Sequence, residues 1–309
     1  MCQKSIYDKI KEETNEEKGH QTGCRECFGR KKEGFVSLKV DYAFTYVMKN
    51  LKVLRGFISA VLGVEAKSIK KITILDRHLN RKFAGDKLGI LDVRAKIENI
   101  GDIDLEIQVR PFSAWGERSV FYNDKMYIEN MKKGKQYNKN IRVISISVLD
   151  FIYLKDEDYF YSPFHIWHDW KRIKLTDAKE FHIIELKKLD RMPPRKEHIN
   201  LMKWCRLINA ESEEERMTIE QDEYIREALK ELEELNGDPQ KRAEYDARDK
   251  AIRDYITELM EAEERGEDRG KNQERKTMIL TMHNNGVSLQ EIARITGIPL
   301  NRVEKIIKS

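Results

Sequence analysis

Between Leu91 and Val109 the chain alternates apolar and polar residues twice, with a short polar break between. Leu91, Val93, Ala95 and Ile97 interleave with Asp92, Arg94 and Lys96, and Leu105, Ile107 and Val109 interleave with Asp104, Glu106 and Gln108. Period-two alternation belongs to a strand with one face buried, so the stretch reads as a β-hairpin turning at "ENIGD". A turn centred on Ile100 sets Asp92 opposite Gln108, Arg94 opposite Glu106 and Lys96 opposite Asp104. Asp92 and Glu106 then form a diagonal pair on the polar face, about 7 Å apart. A solvent-facing hairpin with cross-strand ion pairs would carry the same pattern without any chemistry.

The neighbouring segments argue for a central position. Upstream, Ala43, Phe44, Val47, Leu51, Leu54, Phe57 and Ile58 recur at helical spacing, with Ser37 as a candidate cap for the first helix and Gly63 as the stop of the second. "IKKITILD" reads as a strand. Downstream, "SVFYNDKMYIENMKKG" reads as a helix with Val120, Met126, Tyr127 and Met131 inward and Gly134 as its stop. "IRVISISVLDF" is β-branched and almost continuously apolar, as a strand covered on both faces should be, and "EFHIIELKKL" reads as another strand. Helix, hairpin, helix and buried strand in that order predict an α/β domain with helices packed against a mixed sheet. Acids on a central sheet leave water and stay ionised only beside a counter-charge, which a metal ion supplies.

At 309 residues, with 36% charged and 40% hydrophobic, the chain is long enough for more than one unit and apolar enough for a real core. It contains no run of about 18 apolar residues, and its start lacks the apolar segment of a secretory signal, so the expectation is a cytoplasmic protein without a membrane partner. Four cysteines (Cys2, Cys24, Cys27 and Cys205) are too few for a disulfide scaffold. Cys24 and Cys27 form a C-x-x-C near His20, but no second close pair follows to complete a zinc site. The net charge of +4 conceals an asymmetry. Residues 211–270 hold 22 Asp/Glu and 10 Lys/Arg, a net −12, which leaves +16 on the other 249 residues. The basic remainder could meet a polyanion.

Four regions follow: a polar leader at 1–34, a core at 35–195, a charged helical linker at 196–270, and a helix-turn-helix-like element at 271–309. In the last, Ser288 and Glu291 have capping-box spacing, "TGIP" makes a turn, and Val303, Ile306 and Ile307 stripe a final short helix. In a DNA reader that helix would offer Asn301, Arg302 and Lys305 to a groove. A helical cap or dimerisation unit is the plainer reading of the same scaffold. "FHIWHDW" sets His165 and His168 three apart beside Trp167 and Trp170; as that spacing pairs metal ligands only on a helix, and Pro163 argues for a strand, no second metal is expected there.

"VDYAFTYVM", "LGILDVRAKI", "DLEIQV", "RSVFYNDKMYIENMKKGKQYNKNIRVISISVLDF" and "YSPFHIWH…FHIIELKKL", in this order and at these intervals, resemble successive blocks of the PD-(D/E)XK nuclease family transposases, and residues 286–298 resemble an element found at the end of many members. The resemblance implies a restriction-endonuclease-like mixed sheet flanked by helices, and hydrolysis of DNA phosphodiester bonds with Mg²⁺, or Mn²⁺, as cofactor. It makes Asp92 and Glu106 the two acids that hold the metal, with Asp41 and the Ile107 carbonyl completing the shell. Gln108 stands where the wider superfamily has lysine; it can orient a water but cannot serve as a base at neutral pH. Lys96 or Arg94, on the same face, could stand in for that lysine.

Arg118, at the start of the helix after the hairpin, is a candidate for holding phosphate, and Lys132, Lys133 and Lys135 for contacts to the DNA backbone. The expected partner is DNA, and a homodimer would give the two sites that cutting both strands requires. The alternative function is a catalytically weak or inactive DNA-binding or assembly protein on the same fold, which the neutral Gln108 keeps open.

Overall fold

A computed structural model describes residues 34–79, 89–131 and 141–308. Lys132, Lys133, Lys135, Gly134, His20 and the C-x-x-C pair lie outside the described residues. Two compact units are present, divided after Tyr245.

The first unit is built on a six-stranded mixed sheet in the order β1-β4-β5-β6-β8-β7. Its strands are β1 (Ile72–Ile74), β4 (Val93–Ile97), β5 (Gly101–Gln108), β6 (Val143–Leu149), β7 (Tyr161–His165) and β8 (Lys179–Glu185); a separate short pair is formed by β2 (His78–Leu79) and β3 (Gly89–Ile90). β5, β6 and β8 are mutually parallel, and the others run antiparallel to their neighbours. Every residue of β6 is buried, as its unbroken apolar run requires of a strand covered on both faces. One edge of the sheet is the three-residue β1; the other is β7, which carries Pro163.

Helix α1 (Asp41–Met48) and helix α2 (Leu51–Leu62) open the unit. Asn50 caps α2 by accepting from the Lys52 and Val53 N–H groups, and Gly63 ends it in the left-handed conformation at φ 63°. Ser37 does not cap α1. The residue before that helix is Val40, and the Ser37 hydroxyl instead accepts from the Lys39 N–H, because the chain needs further turns to enter the helix. The Tyr161 hydroxyl of β7 donates to the Val61 carbonyl of α2, which ties these helices to one face of the sheet.

The opposite face is covered by α3 (Trp115–Asn130). Trp115, Tyr122 and Met126 point inward; Met126 and Tyr122 pack with Leu79, Leu91 and Val143, and Trp115 packs with Leu149, Phe151 and Ile183. Val120, expected inward, is exposed, and Tyr127 and Met131 are half-buried. Ser119 and Asn123 take the inward positions, Asn123 donating to the Ser145 hydroxyl of β6, so polar groups on the helix meet polar groups on the sheet. The helix ends at Asn130.

The sequence reads residues 196–270 as a linker, yet the structure packs its first half into the core of the first unit. Helix α4 (Ile199–Asn209) buries Leu201, Met202, Trp204, Cys205, Leu207 and Ile208, the Trp204 ring meeting Phe57 of α2 edge to face at 5.7 Å. Short α5 (Glu213–Met217) places the Arg216 guanidinium over the Phe35 ring, where it also donates to the Val36 carbonyl. Helix α6 (Glu223–Gly237) buries Ile225, Ala228, Leu232 and Leu235, one face among many acids. High charge density hid an amphipathic pattern that is apolar enough to pack. Helix α7 (Pro239–Asn284) follows.

The second unit comprises residues 246–308. Among them, Ile279 of α7, Ile292 of α8 (Leu289–Thr296) and Val303 of α9 (Leu300–Ile307) form a small three-helix core. The Ser288 hydroxyl caps α8 through the Glu291 N–H, and Gly297 makes the turn at φ 68°, as the sequence predicts. No described helix is long and apolar enough to cross a membrane.

Candidate active site

The hairpin forms with a register two residues away from the one read off the sequence. Val93 pairs with Leu105, Arg94 with Asp104, Ala95 with Ile103 and Lys96 with Asp102. The turn spans residues 98–100, and Gly101 already belongs to β5 at φ 138°, with its Cα pressed against the Arg142 carbonyl. A side chain at 101 would meet that carbonyl and strain the backbone as well. Moving the turn in this way puts Asp92, one residue before the Val93–Leu105 pair, at the level of Glu106 instead of on the diagonal.

The polar face of the hairpin lies beneath α3, which explains its alternating charges. At the turn end, Lys96 pairs with Asp102 at 3.1 Å, and Asn130 of α3 donates to Asp102 at 2.8 Å. Next, Arg94 pairs with Glu129 of α3 at 2.8 Å. Both cations are therefore engaged with carboxylates at the end of β4 away from Asp92. Toward the other end the balance reverses. Asp104 and Glu106 are 3% and 8% exposed, Asp92 stands just before β4, and the ion pair made there among the described residues is that of Arg118 at the start of α3, with Nη2 3.9 Å from Glu106 Oε1, while the Arg77 charge also acts on Asp92. The Arg118 guanidinium rests on the Tyr122 ring at 5.1 Å.

Burial, together with this excess of negative charge, shows in the titration of the acids. Burial, with the nearby Asp41 charge, pushes Asp92 up to about 6 against the opposing pull of the Ile107 N–H and Arg118. Burial and the charge of Asp92 push Glu106 up to about 7. Asp104 is raised well above the usual carboxylate range by burial and by Glu106 and Asp92, and its Oδ1 is buried without a hydrogen-bond partner among the described residues. Asp104 was not singled out in the sequence beyond its place on the polar face. The signal was its spacing of two from Glu106, which places both on one side of a strand.

The local backbone is arranged around Asp92. Its Oδ2 accepts the Ile107 N–H at 2.9 Å. Because the N–H and C=O of a strand residue point to the same edge, the Ile107 carbonyl also faces the Asp92 side of β5. Asp41 sits in the first turn of α1, close enough for its charge to act on Asp92. Gln108 ends β5, half-buried, with Nε2 donating to the Arg110 carbonyl at 3.1 Å. Asn301 and Arg302 are exposed on α9 in the second unit.

Among the described residues no three Asp, Glu, His or Cys side chains are gathered closely enough to enclose an ion. The donor set does fit a hard divalent cation. Two facing carboxylates, a backbone carbonyl and an orphaned carboxylate oxygen suit Mg²⁺ or Mn²⁺, which take oxygen ligands, and magnesium keeps several waters. A cation here would offset the burial, and with it the mutual repulsion, that raises all three acids.

No curated protein and no solved structure matches this chain. The family model of the PD-(D/E)XK nuclease family transposases matches residues 38–262, which takes in the sheet, the acid-lined hairpin and the helices on both faces. Members of that family are nucleases of mobile elements, and the wider superfamily generally works with divalent metal ions. By that match, spanning most of its length, this chain belongs to the PD-(D/E)XK nuclease family transposases.

Proposed function

We propose that the protein is a divalent-metal-dependent DNA endonuclease, with Mg²⁺ or Mn²⁺ held by Asp92, Glu106 and the Ile107 carbonyl and with Asp41 completing the shell. The observation that carries this reading is the set of buried acids at the Asp92 end of the hairpin, where Asp92, Asp104 and Glu106 are all raised and Asp104 Oδ1 has no partner among the described residues. Such an arrangement costs stability, and a cation removes that cost. When bound, the cation neutralises phosphodiester charge and lowers the pKa of its water.

The chain's own groups account for the remaining requirements. Arg118, aimed along the Tyr122 ring, is free to turn from Glu106 to a phosphate oxygen once the acids are neutralised. Gln108 positions the attacking water by hydrogen bonding and takes no proton. Arg94, paired with Glu129, ties α3 to the hairpin, and Lys96, paired with Asp102 inside the hairpin, also reaches Asn130 of α3 at 3.4 Å; DNA contact by either requires opening those pairs. Asn301 and Arg302 on α9 contact DNA from the second unit as a helix-turn-helix would, and Lys132, Lys133 and Lys135 add backbone contacts.

The test is nicking of supercoiled plasmid with Mg²⁺, Mn²⁺, Ca²⁺ or EDTA, beside Asp92→Ala and Glu106→Ala. Both variants are expected to lose at least about 100-fold in rate while staying folded, as removal of a metal ligand should cause. Wild-type rates retained in both would place any activity elsewhere or in a contaminant. Salt-sensitive DNA binding without cleavage would favour the non-catalytic alternative, a role that the neutral Gln108 is compatible with.

A further inference from the structure

Beyond β7 the chain continues into a two-stranded arm. The Leu175 N–H donates to the Ile166 carbonyl, the His168 N–H donates to the Ile173 carbonyl, and Trp167 bridges Lys174. The tip turns through Arg172, which adopts a left-handed conformation at φ 53°. Trp170 at this tip is 89% exposed, touching the His168 ring edge-on at 5.6 Å, and Leu175 and Ile173 are 79% and 59% exposed. Lys171 and Arg172 stand beside Trp170, exposed and without an ion pair among the described residues. Monomeric proteins seldom leave so much aromatic surface uncovered without a use for it.

The base of the arm is fixed. Glu180, buried at the start of β8, is gripped by Arg142 at 2.8 Å through both oxygens and approached at 3.6 Å by His165, His182 and Lys174. Lys174 also lies over the Trp167 ring at 5.6 Å. The arm is thus held in place before any partner arrives, so little ordering cost remains at binding.

The geometry points to this arm as a DNA-strand contact in which Trp170 stacks on an unpaired base and Lys171 and Arg172 meet the flanking phosphates. The inference rests on the nuclease reading for the identity of the polymer. Charge selects the partner: residues 166–175 carry Lys171, Arg172 and Lys174 against Asp169 alone. Two copies meeting arm to arm would repel, whereas a polyanion with π faces satisfies both the cations and the indole. His165 pairs with Glu180, three residues along β8 from Ile183, and Ile183 is level with Glu106 through Ser147. From strand spacing and rise, the arm's base lies about 17 Å from Glu106, or roughly five nucleotides along DNA. The contact would therefore hold DNA flanking the cleavage position.

The experiment uses the full-length chain in EDTA, so that nothing is cut, and labelled oligonucleotides in single-stranded and duplex form at low salt. Trp170→Ala is expected to weaken single-strand binding about tenfold or more, with a smaller effect on duplex and an unchanged melting temperature. Trp170→Phe should restore most of the affinity. Since Trp115 and Trp204 are buried, DNA should also shield wild-type fluorescence from acrylamide, through Trp167 and Trp170. Equal affinities for wild type and Trp170→Ala would overturn the stacking contact while leaving the nuclease reading intact. An effect confined to duplex would overturn it too, as would loss of a dimer in Trp170→Ala with DNA affinity unchanged, which would mark the arm as a contact between copies. Wild type that binds no DNA at low salt, with Ca²⁺ in place of EDTA as well, would overturn both readings together.

Discussion

Glu106 loses its proton near pH 7 because it is buried opposite Asp92, and Asp92 near pH 6 for the corresponding reason. In the unfolded chain both groups ionise near their ordinary values of about 4. Their folded values are raised, so across that window the native state holds protons the unfolded state has released, and stability falls as pH rises. In chelator, the melting temperature should drop by roughly 5–10 °C between pH 5 and pH 8. Glu106→Gln should remove much of the drop, and a saturating divalent cation should reverse it in wild type but not in the variant. A melting temperature that climbs with pH across this window would contradict the charge balance described for the hairpin. The acids themselves were legible from alternation and from the resemblance. What was not legible was their imbalance, because Arg94 is drawn toward Glu129 of α3, which no pattern within the hairpin reveals.

Among the elements, the hairpin turn depends on one position. Gly101 combines φ 138° with a backbone carbonyl where a Cβ would stand. Gly101→Ala should therefore cost about 2–4 kcal/mol, lowering the melting temperature by roughly 5–10 °C, measured by calorimetry. It should also weaken cleavage more than its distance from Glu106 suggests, because register sets whether Asp92 faces Glu106. The two-residue error in the predicted register has this same cause. "ENIGD" announces a turn, but only the packing of Gly101 against Arg142 of the following strand decides which residues form it. Helices on either side of the hairpin and the buried β6 were readable from period alone. Helices α4 and α6 were not, since their apolar stripes are thin and lie among acids that suggest a solvated segment. Val120 was misassigned because α3 turns Ser119 and Asn123 toward a sheet that is itself polar at Ser145 and Ser147.

For the whole molecule, the charge asymmetry sets how DNA binding should respond to salt. The strongly acidic segment contributes nothing to a polyanion, so attraction must come from the basic remainder and fall steeply as salt rises. Arg302→Ala, in the second unit, is expected to reduce the slope of log affinity against log salt by about one with the fold unchanged. An unaltered slope would make α8 and α9 a structural cap. The edges of the sheet have a further consequence. β1 offers only three residues, and β7 interrupts its outer row with Pro163, which has no N–H to give. Neither edge is a template on which another strand can grow. The sheet therefore offers neighbouring molecules little to pair with, and crowding of the protein should not draw its β-structure into fibre-like stacking or strand exchange.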